Sequence, residues 1–270
     1  MKFKKIILSI LIILFFILTY TIFLGKLHAL SPIAIGFEKH ELDNTIIYVQ
    51  DGSNYTDFKE IDKYLESVEL FHKLKFYEKP KIYIYSDKST YLRQNITNAR
   101  FYAYPNGRLV VSPWAIDECQ KGIISLEIYI KHELSHLLLY QNMSYIAAYH
   151  YPQWLMEGIA VYSTNQMGTS WYPSKKKTYE IIKSGDYFPP NLYKTNKEDN
   201  IKITTENRIA FMYSEFACVV DFLIEKYGQD KFYQYMKGLF QDYNHDQLFK
   251  NIYNTDFDKF LDDFKSTVKK

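Results

Sequence analysis

Ile123-Ile-Ser-Leu-Glu-Ile-Tyr-Ile-Lys-His132-Glu-Leu-Ser-His136-Leu-Leu-Leu-Tyr140 is the stretch whose reading decides the fold. His132 and His136 stand four residues apart with Glu133 between them. On a helix that spacing puts both imidazoles on one face, about one turn apart, so their ring nitrogens converge on one metal ion. Glu133 sits beside that face and reaches a water on the metal without being a ligand. Zinc hydrolysis needs this set: a Lewis acid, a water with pKa lowered toward ~7, and a base for its proton. Ile124, Leu126, Ile128, Ile130, Leu134, Leu137, Leu138 and Leu139 leave the helix little polar surface, so it is expected to be buried. Burying two imidazoles and a carboxylate without partners is costly, and a metal ion is the simplest partner.

A third ligand candidate is Glu157, in Pro152-Gln-Trp-Leu-Met-Glu-Gly-Ile-Ala-Val-Tyr162. Pro152 suits a helix start, and Trp154, Leu155, Ile159 and Val161 supply its apolar body. Gly158 and Ala160 are small where this helix is expected to approach the motif helix. Two histidines and one glutamate leave a fourth zinc position for water, as a catalytic site requires.

HELSH followed by WLMEGIAVY, with twenty residues between His136 and Glu157, resembles the gluzincin metallopeptidases. It is similar in particular to the small bacterial peptidase MA-like domains, over roughly residues 80–265. The strand pair Phe101-Tyr-Ala-Tyr-Pro and Arg108-Leu-Val-Val-Ser-Pro113 and the later helix Tyr213–Gly228 share that pattern. The resemblance implies one zinc ion held by His132, His136 and Glu157, with Glu133 as general base. It nominates Arg108 to Ser112 as the edge strand lining the cleft, with ordinary sheet as the alternative. Tyr213, opening the helix after the site, is the candidate oxyanion donor; Tyr149 and His150 are alternatives, and packing is a further role for Tyr213. The Gly-x-Met-Glu-Asn element by which aminopeptidase relatives hold a free amine is missing, which favours an endopeptidase. Val161 stands where thermolysin-like enzymes place a carboxylate to orient a ligand histidine, so the imidazoles need another acceptor.

Residues 6–24 form a nineteen-residue apolar run without a charge. As a helix it spans about 28 Å, enough to cross a bilayer core. Lys2, Lys4 and Lys5 precede it, which favours a cytoplasmic N-terminus. The run is long for a cleaved signal peptide, and Gly25-Lys-Leu-His-Ala29 matches a cleavage site poorly, so a retained anchor is preferred and a secreted form stays open. The expected segments are a basic tail (1–5), a signal-anchor helix (6–24), a linker (25–43) and a metallopeptidase domain (44–270).

A net charge of +2 argues against nucleic-acid binding. Cys119 and Cys218 are too few for a disulfide framework; Cys218 reads as a core residue, and one bridge between them remains open. The sequons at Asn54, Asn95 and Asn142 carry little weight in an Asn-rich chain. Strands are expected at 45–50, 81–86, 101–104 and 108–112, the last two as a hairpin across Pro105-Asn106-Gly107. Helices are expected at 57–74, 90–95, 175–183, 206–227, 229–241 and 256–268, with a cleft-edge loop within 163–205.

These readings give an α+β fold: a zincin-like domain with an N-terminal mixed sheet, a mainly helical C-terminal half, and one transmembrane helix in front. The expected function is a single-pass, outward-facing zinc metallopeptidase acting on peptide or protein substrates, with oligomeric state unread. The alternatives are a catalytically inactive surface binding module and a zinc hydrolase of non-peptide amides.

Overall fold

The computed structural model describes residues 2–53, 59–192 and 201–269. The sequon at Asn54, the helix start at Asp57, the chain ends at Met1 and Lys270 and residues 193–200 of the cleft-edge loop lie outside them. The chain begins with α1 (Lys2–Phe23), whose segment Phe3–Phe23 is long and apolar enough to cross a membrane and has no part buried against the protein.

Five strands follow, β1 (Phe37–Glu41), β2 (Ile46–Gln50), β3 (Lys81–Ile84), β4 (Phe101–Tyr104) and β5 (Arg108–Val111). They form one mixed sheet in the order β1-β2-β3-β5-β4. β2, β3 and β5 run parallel, while β1 and β4 close the edges antiparallel. Parallel neighbours need a crossover, and α2 (Lys59–His72) supplies it between β2 and β3. β4 and β5 form the expected hairpin, turning at Gly107 with φ of +82°, a conformation that favours glycine.

The period-two alternation of the strands sorts side chains into two layers. Ile47, Val49, Ile82, Ile84, Leu109 and Val111 face α2 and the motif helix α5 (Leu126–Gln141), forming one core with Ile61, Leu65, Leu134 and Leu138. Tyr83, Tyr85, Tyr104 and Val110 point the other way into an aromatic layer completed by Tyr91 of α3 (Lys88–Gln94). α4 (Pro113–Gln120) is capped by Ser112, whose side chain accepts the Ala115 N–H, with Pro113 in the first turn.

A second core is built mainly from helices. α6 (Tyr145–His150), α7 (Gln153–Ser163) and α8 (Lys175–Ser184) lead to α9 (Arg208–Tyr227), α10 (Gln229–Gly238), α11 (His245–Tyr253) and α12 (Phe257–Lys269). Trp154, Leu155, Ile159, Phe216, Val220, Phe249, Phe260 and Phe264 fill it. The expected approach of Gly158 to the motif helix is corrected: a Cβ there would lie 2.7 Å from the Phe216 carbonyl oxygen of α9. The pair that packs backbone to backbone is therefore α7 with α9. Cys119 and Cys218 are both free, and Cys218 is buried in this core.

The stretch 25–43, expected to be a linker, is part of the fold. It contains β1 and a 3₁₀ turn at His28–Leu30. His28 is fully buried and Arg108 donates to the carbonyls of His28 (2.5 Å) and Ser31 (3.2 Å). The segment has no apolar alternation of its own, so its docking depends on a partner eighty residues away.

Two predictions follow from this packing. His72 of α2 is fully buried, its Nδ1 against the Val68 carbonyl (2.8 Å) and its Nε2 against the Ser135 hydroxyl of α5 (2.9 Å). Burial is the main cause lowering its pKa from 6.5 to about 4. The unfolded chain therefore binds this proton first, and stability falls as the pH drops from about 6.5 toward 4. In urea unfolding, the wild type should lose about 2–3 kcal/mol more than His72→Asn between pH 7 and 4.5. Gly158→Ala should lower stability by about 1–3 kcal/mol in the same assay, because the Phe216 carbonyl is backbone and cannot yield locally.

Candidate metal centre

The centre lies at the seam of the two cores. α5 is capped at its start by Ser125, which accepts the Ile128 N–H, and it carries His132, Glu133 and His136 along the sheet. α7 brings Glu157 from the helical core. All four side chains are buried or nearly so. The Nε2 atoms of His132 and His136 lie 3.1 Å apart. Oε2 of Glu157 is 3.3 Å from the first and 3.4 Å from the second.

That triangle meets a direct test of fit. Ligands bonded at ~2.0–2.1 Å to a tetrahedral zinc stand roughly 3.3 Å from one another. Glu157 Oε2 makes no aligned hydrogen bond despite its two close neighbours, and it is buried. At most one proton can lie between the two facing Nε2 atoms. Three lone pairs thus converge on one point, among the described residues the one cluster of three potential ligands. The residues fit a bound zinc ion.

The surroundings fix these groups. Nδ1 of His132 is 2.7 Å from Oε1 of Gln166, a fully buried side chain in the turn after α7. With Oε1 as acceptor, Nδ1 carries the proton and Nε2 turns its lone pair to the centre. Val161, where thermolysin-like enzymes place a carboxylate, is a buried core residue. Gln166 takes that place instead; its neutral amide and its position beyond the helix left no periodic signal in the sequence. His136 Nδ1 is buried and has no hydrogen bond among the described residues.

The electrostatics follow from burial and charge. Burial alone would raise the pKa of Glu157, but His136 and His132 outweigh it and hold the carboxyl well below its usual range. For His132 burial lowers the pKa, and the carboxylates of Glu157 and Glu133 more than reverse it. Glu133 differs: burial raises its pKa, the two histidines and the nearby backbone of Ala103 oppose it, and Glu157 adds to the rise.

Ala103 belongs to β4, and here the sequence reading needs correction. Arg108–Val111 is β5, an interior strand between β3 and β4, and Arg108 is buried on the far side. The edge strand at the cleft is β4. The carbonyls of Arg100 and Tyr104 accept from Ser112 and Gly107 on the β5 side, so Phe101 and Ala103 direct their backbone groups outward.

A cavity of about 1230 Å³ opens over the centre. His132, Glu133, His136 and Glu157 line it together with Tyr213, which sits in the second turn of α9 rather than at its opening. Tyr149 is 85% exposed and His150 stacks on Tyr243; neither lines the cavity. Tyr102, Tyr140 and Tyr172 do line it, and the sequence did not single them out among 26 tyrosines. Burial, with added repulsion from Glu133 and Glu157, raises the pKa of all three, so they keep their protons as hydrogen-bond donors.

A mixed sheet, a buried HExxH helix and a glutamate from a second helix define a zinc metallopeptidase fold. The sequence pattern of the Peptidase MA superfamily matches residues 78–270, and the chain belongs to that superfamily. HExxH with a downstream glutamate is a gluzincin-like pattern within it. Curated proteins yield no match. Among solved structures, a two-domain M1 zinc metallopeptidase bound to L-tryptophan is similar at 13% identity and TM-score 0.47, over 84% of this chain and 50% of that one. An M1 zinc metallopeptidase from Deinococcus radiodurans, bound to a Tyr-Ser-Ala substrate, is similar at 13% identity and TM-score 0.46, over 86% and 50%. The chain spans about half the length of these structures.

Removing the amide that orients His132 should weaken the centre without unfolding the chain. Gln166→Ala is expected to reduce zinc affinity by about 10- to 100-fold, measured by competition with a chromophoric chelator, with Gln166→Glu restoring most of it.

Proposed function

We propose that the chain is a membrane-anchored, outward-facing zinc metallopeptidase that hydrolyses peptide bonds. The triangle of 3.1, 3.3 and 3.4 Å among His132, His136 and Glu157 carries this reading. Those three residues would hold one zinc ion, which when bound supplies a Lewis acid for the scissile carbonyl and lowers the pKa of water.

Glu133 acts as general base. It lines the same cavity as Ala103, and burial raises its proton affinity. A raised pKa suits a group that takes a proton from the attacking water and delivers it to the leaving amine. Tyr213 donates to the developing oxyanion, a role supported by its place in the cavity lining. The outward backbone groups of β4 pair with an extended substrate. The missing amine-holding element supports an endopeptidase. α1 serves as the anchor, with Lys4 and Lys5 on the cytoplasmic side.

Metal analysis of the purified chain should give about one zinc per wild-type molecule and almost none for His136→Ala. Glu133→Gln should keep its zinc and lose about 10²- to 10⁴-fold in cleavage of a broad peptide library. Equal cleavage by wild type and Glu133→Gln would reject the peptidase reading in favour of a binding module.

A further inference from the structure

The end of α1 is fastened to the wall of the catalytic cavity. The Leu24 carbonyl accepts from Arg93 Nε at 3.1 Å. Lys26 Nζ donates to the carbonyls of Leu92 (2.5 Å) and Asn95 (2.7 Å). Asn106 donates to the Ala29 carbonyl at 2.6 Å, and Arg108 clamps His28 and Ser31. A flexible tether of n residues would let a domain wander by about 5–6 Å × √n. Here no free tether intervenes, so the exit of α1 fixes where the cavity stands.

Lys26, Leu92 and Ile96 line the same cavity as His132, Glu133 and His136. One end of the cleft therefore opens beside the exit of α1. Leu24, Leu27, Leu30, Ile33 and Ile35, which follow α1 in the chain, and Ile96, beside the Asn95 carbonyl that binds Lys26, are exposed by between 38% and 63%. Such a surface suits the interfacial layer of the bilayer in which α1 is embedded. The distance from there to the centre is bounded by the chain itself. Asn95 touches Lys26, Ala103 lines the cavity together with His132 and Glu133, and the eight steps between Asn95 and Ala103 span at most about 29 Å. An extended peptide covers that length in about nine residues.

Building on the peptidase reading above, we propose that the substrate is the membrane-proximal segment of another membrane-anchored polypeptide, cut within about ten residues of the bilayer surface. Such a segment enters the cleft from its Lys26 end while its own anchor stays in the membrane. Confinement to one surface raises its effective concentration over that of a soluble peptide.

The test uses the full chain in lipid vesicles with single-span polypeptides carrying a randomised ten-residue cassette. The cassette lies either directly after the span or behind a forty-residue Gly/Ser spacer, and a soluble peptide library carries the same cassette. Products are sequenced by mass spectrometry. Cleavage of the near cassette should exceed that of the far one by about tenfold or more. Inserting twenty Gly/Ser residues between Leu24 and Gly25, a reach of about 25 Å, should bring that ratio toward one while soluble-peptide cleavage persists. Equal cleavage of both cassettes, or a ratio unmoved by the insertion, overturns the proposal. Cleavage of the soluble library with both tethered cassettes intact also overturns it and leaves the peptidase reading standing. A zinc-loaded chain that cuts none of the three probes overturns both.

Discussion

Glu157 takes a carboxylate into the seam between two hydrophobic cores and sets it against two imidazoles, and the rest of the domain is arranged around that contact. An ionised carboxylate buried alone is too costly to keep, and a neutral one would leave the imidazoles without a counter-charge. The opposite pKa directions of Glu157 and His132 express this mutual dependence. A divalent cation at this point would satisfy the converging lone pairs of both imidazoles and the carboxylate, and its binding would couple to proton release and to folding. Since α5 belongs to the sheet core and α7 to the helical core, the contact also joins the two halves of the domain.

The supports behind this contact each act on a different element. Gln166 holds the ring of His132 from the far end of α7, and Ser135 ties α5 to His72 of α2. Ala103, on the sheet edge, lines the cavity beside Glu133. Gly158 lets α7 meet α9 closely, which sets how far Glu157 projects. A neutral amide behind His132 adds no negative charge to a centre that already contains two carboxylates. The ligand set is therefore less electron-rich than with a carboxylate in that place.

Much of this was legible in the sequence because it rests on local periods. The i, i+4 histidines, the apolar run around them, the Ile-Tyr alternation of 82–85 and the turn at Gly107 each carry their geometry within a few residues. What escaped was set by contacts distant in sequence. β1 reads Phe-Glu-Lys-His-Glu and shows no alternation, because as an edge strand it depends on β2 for its pairing. The order β5 then β4 at the cleft edge follows from how the hairpin joins β3, which neither strand specifies alone. Gln166 and the partner of Gly158 were hidden for the same reason. The short helices α4 and α6 are too brief to display a full apolar face.

Arg108 shows how firmly the segment after α1 belongs to the domain. Its guanidinium is buried, which lowers its pKa, and no carboxylate compensates it among its described contacts. The carbonyls of His28 and Ser31 and the face of Tyr83, 4.0 Å away, take the place of a counter-ion. Releasing residues 24–31 would strip those dipoles from a buried cation, a loss on the scale of an unsatisfied charged group. The cost of undocking thus falls on the sheet itself, since Arg108 is the first residue of β5. The segment joining α1 to the sheet is consequently not a spacer whose length sets a loose distance. It is part of the aromatic layer, and any motion of the cavity relative to the exit of α1 must break that layer first.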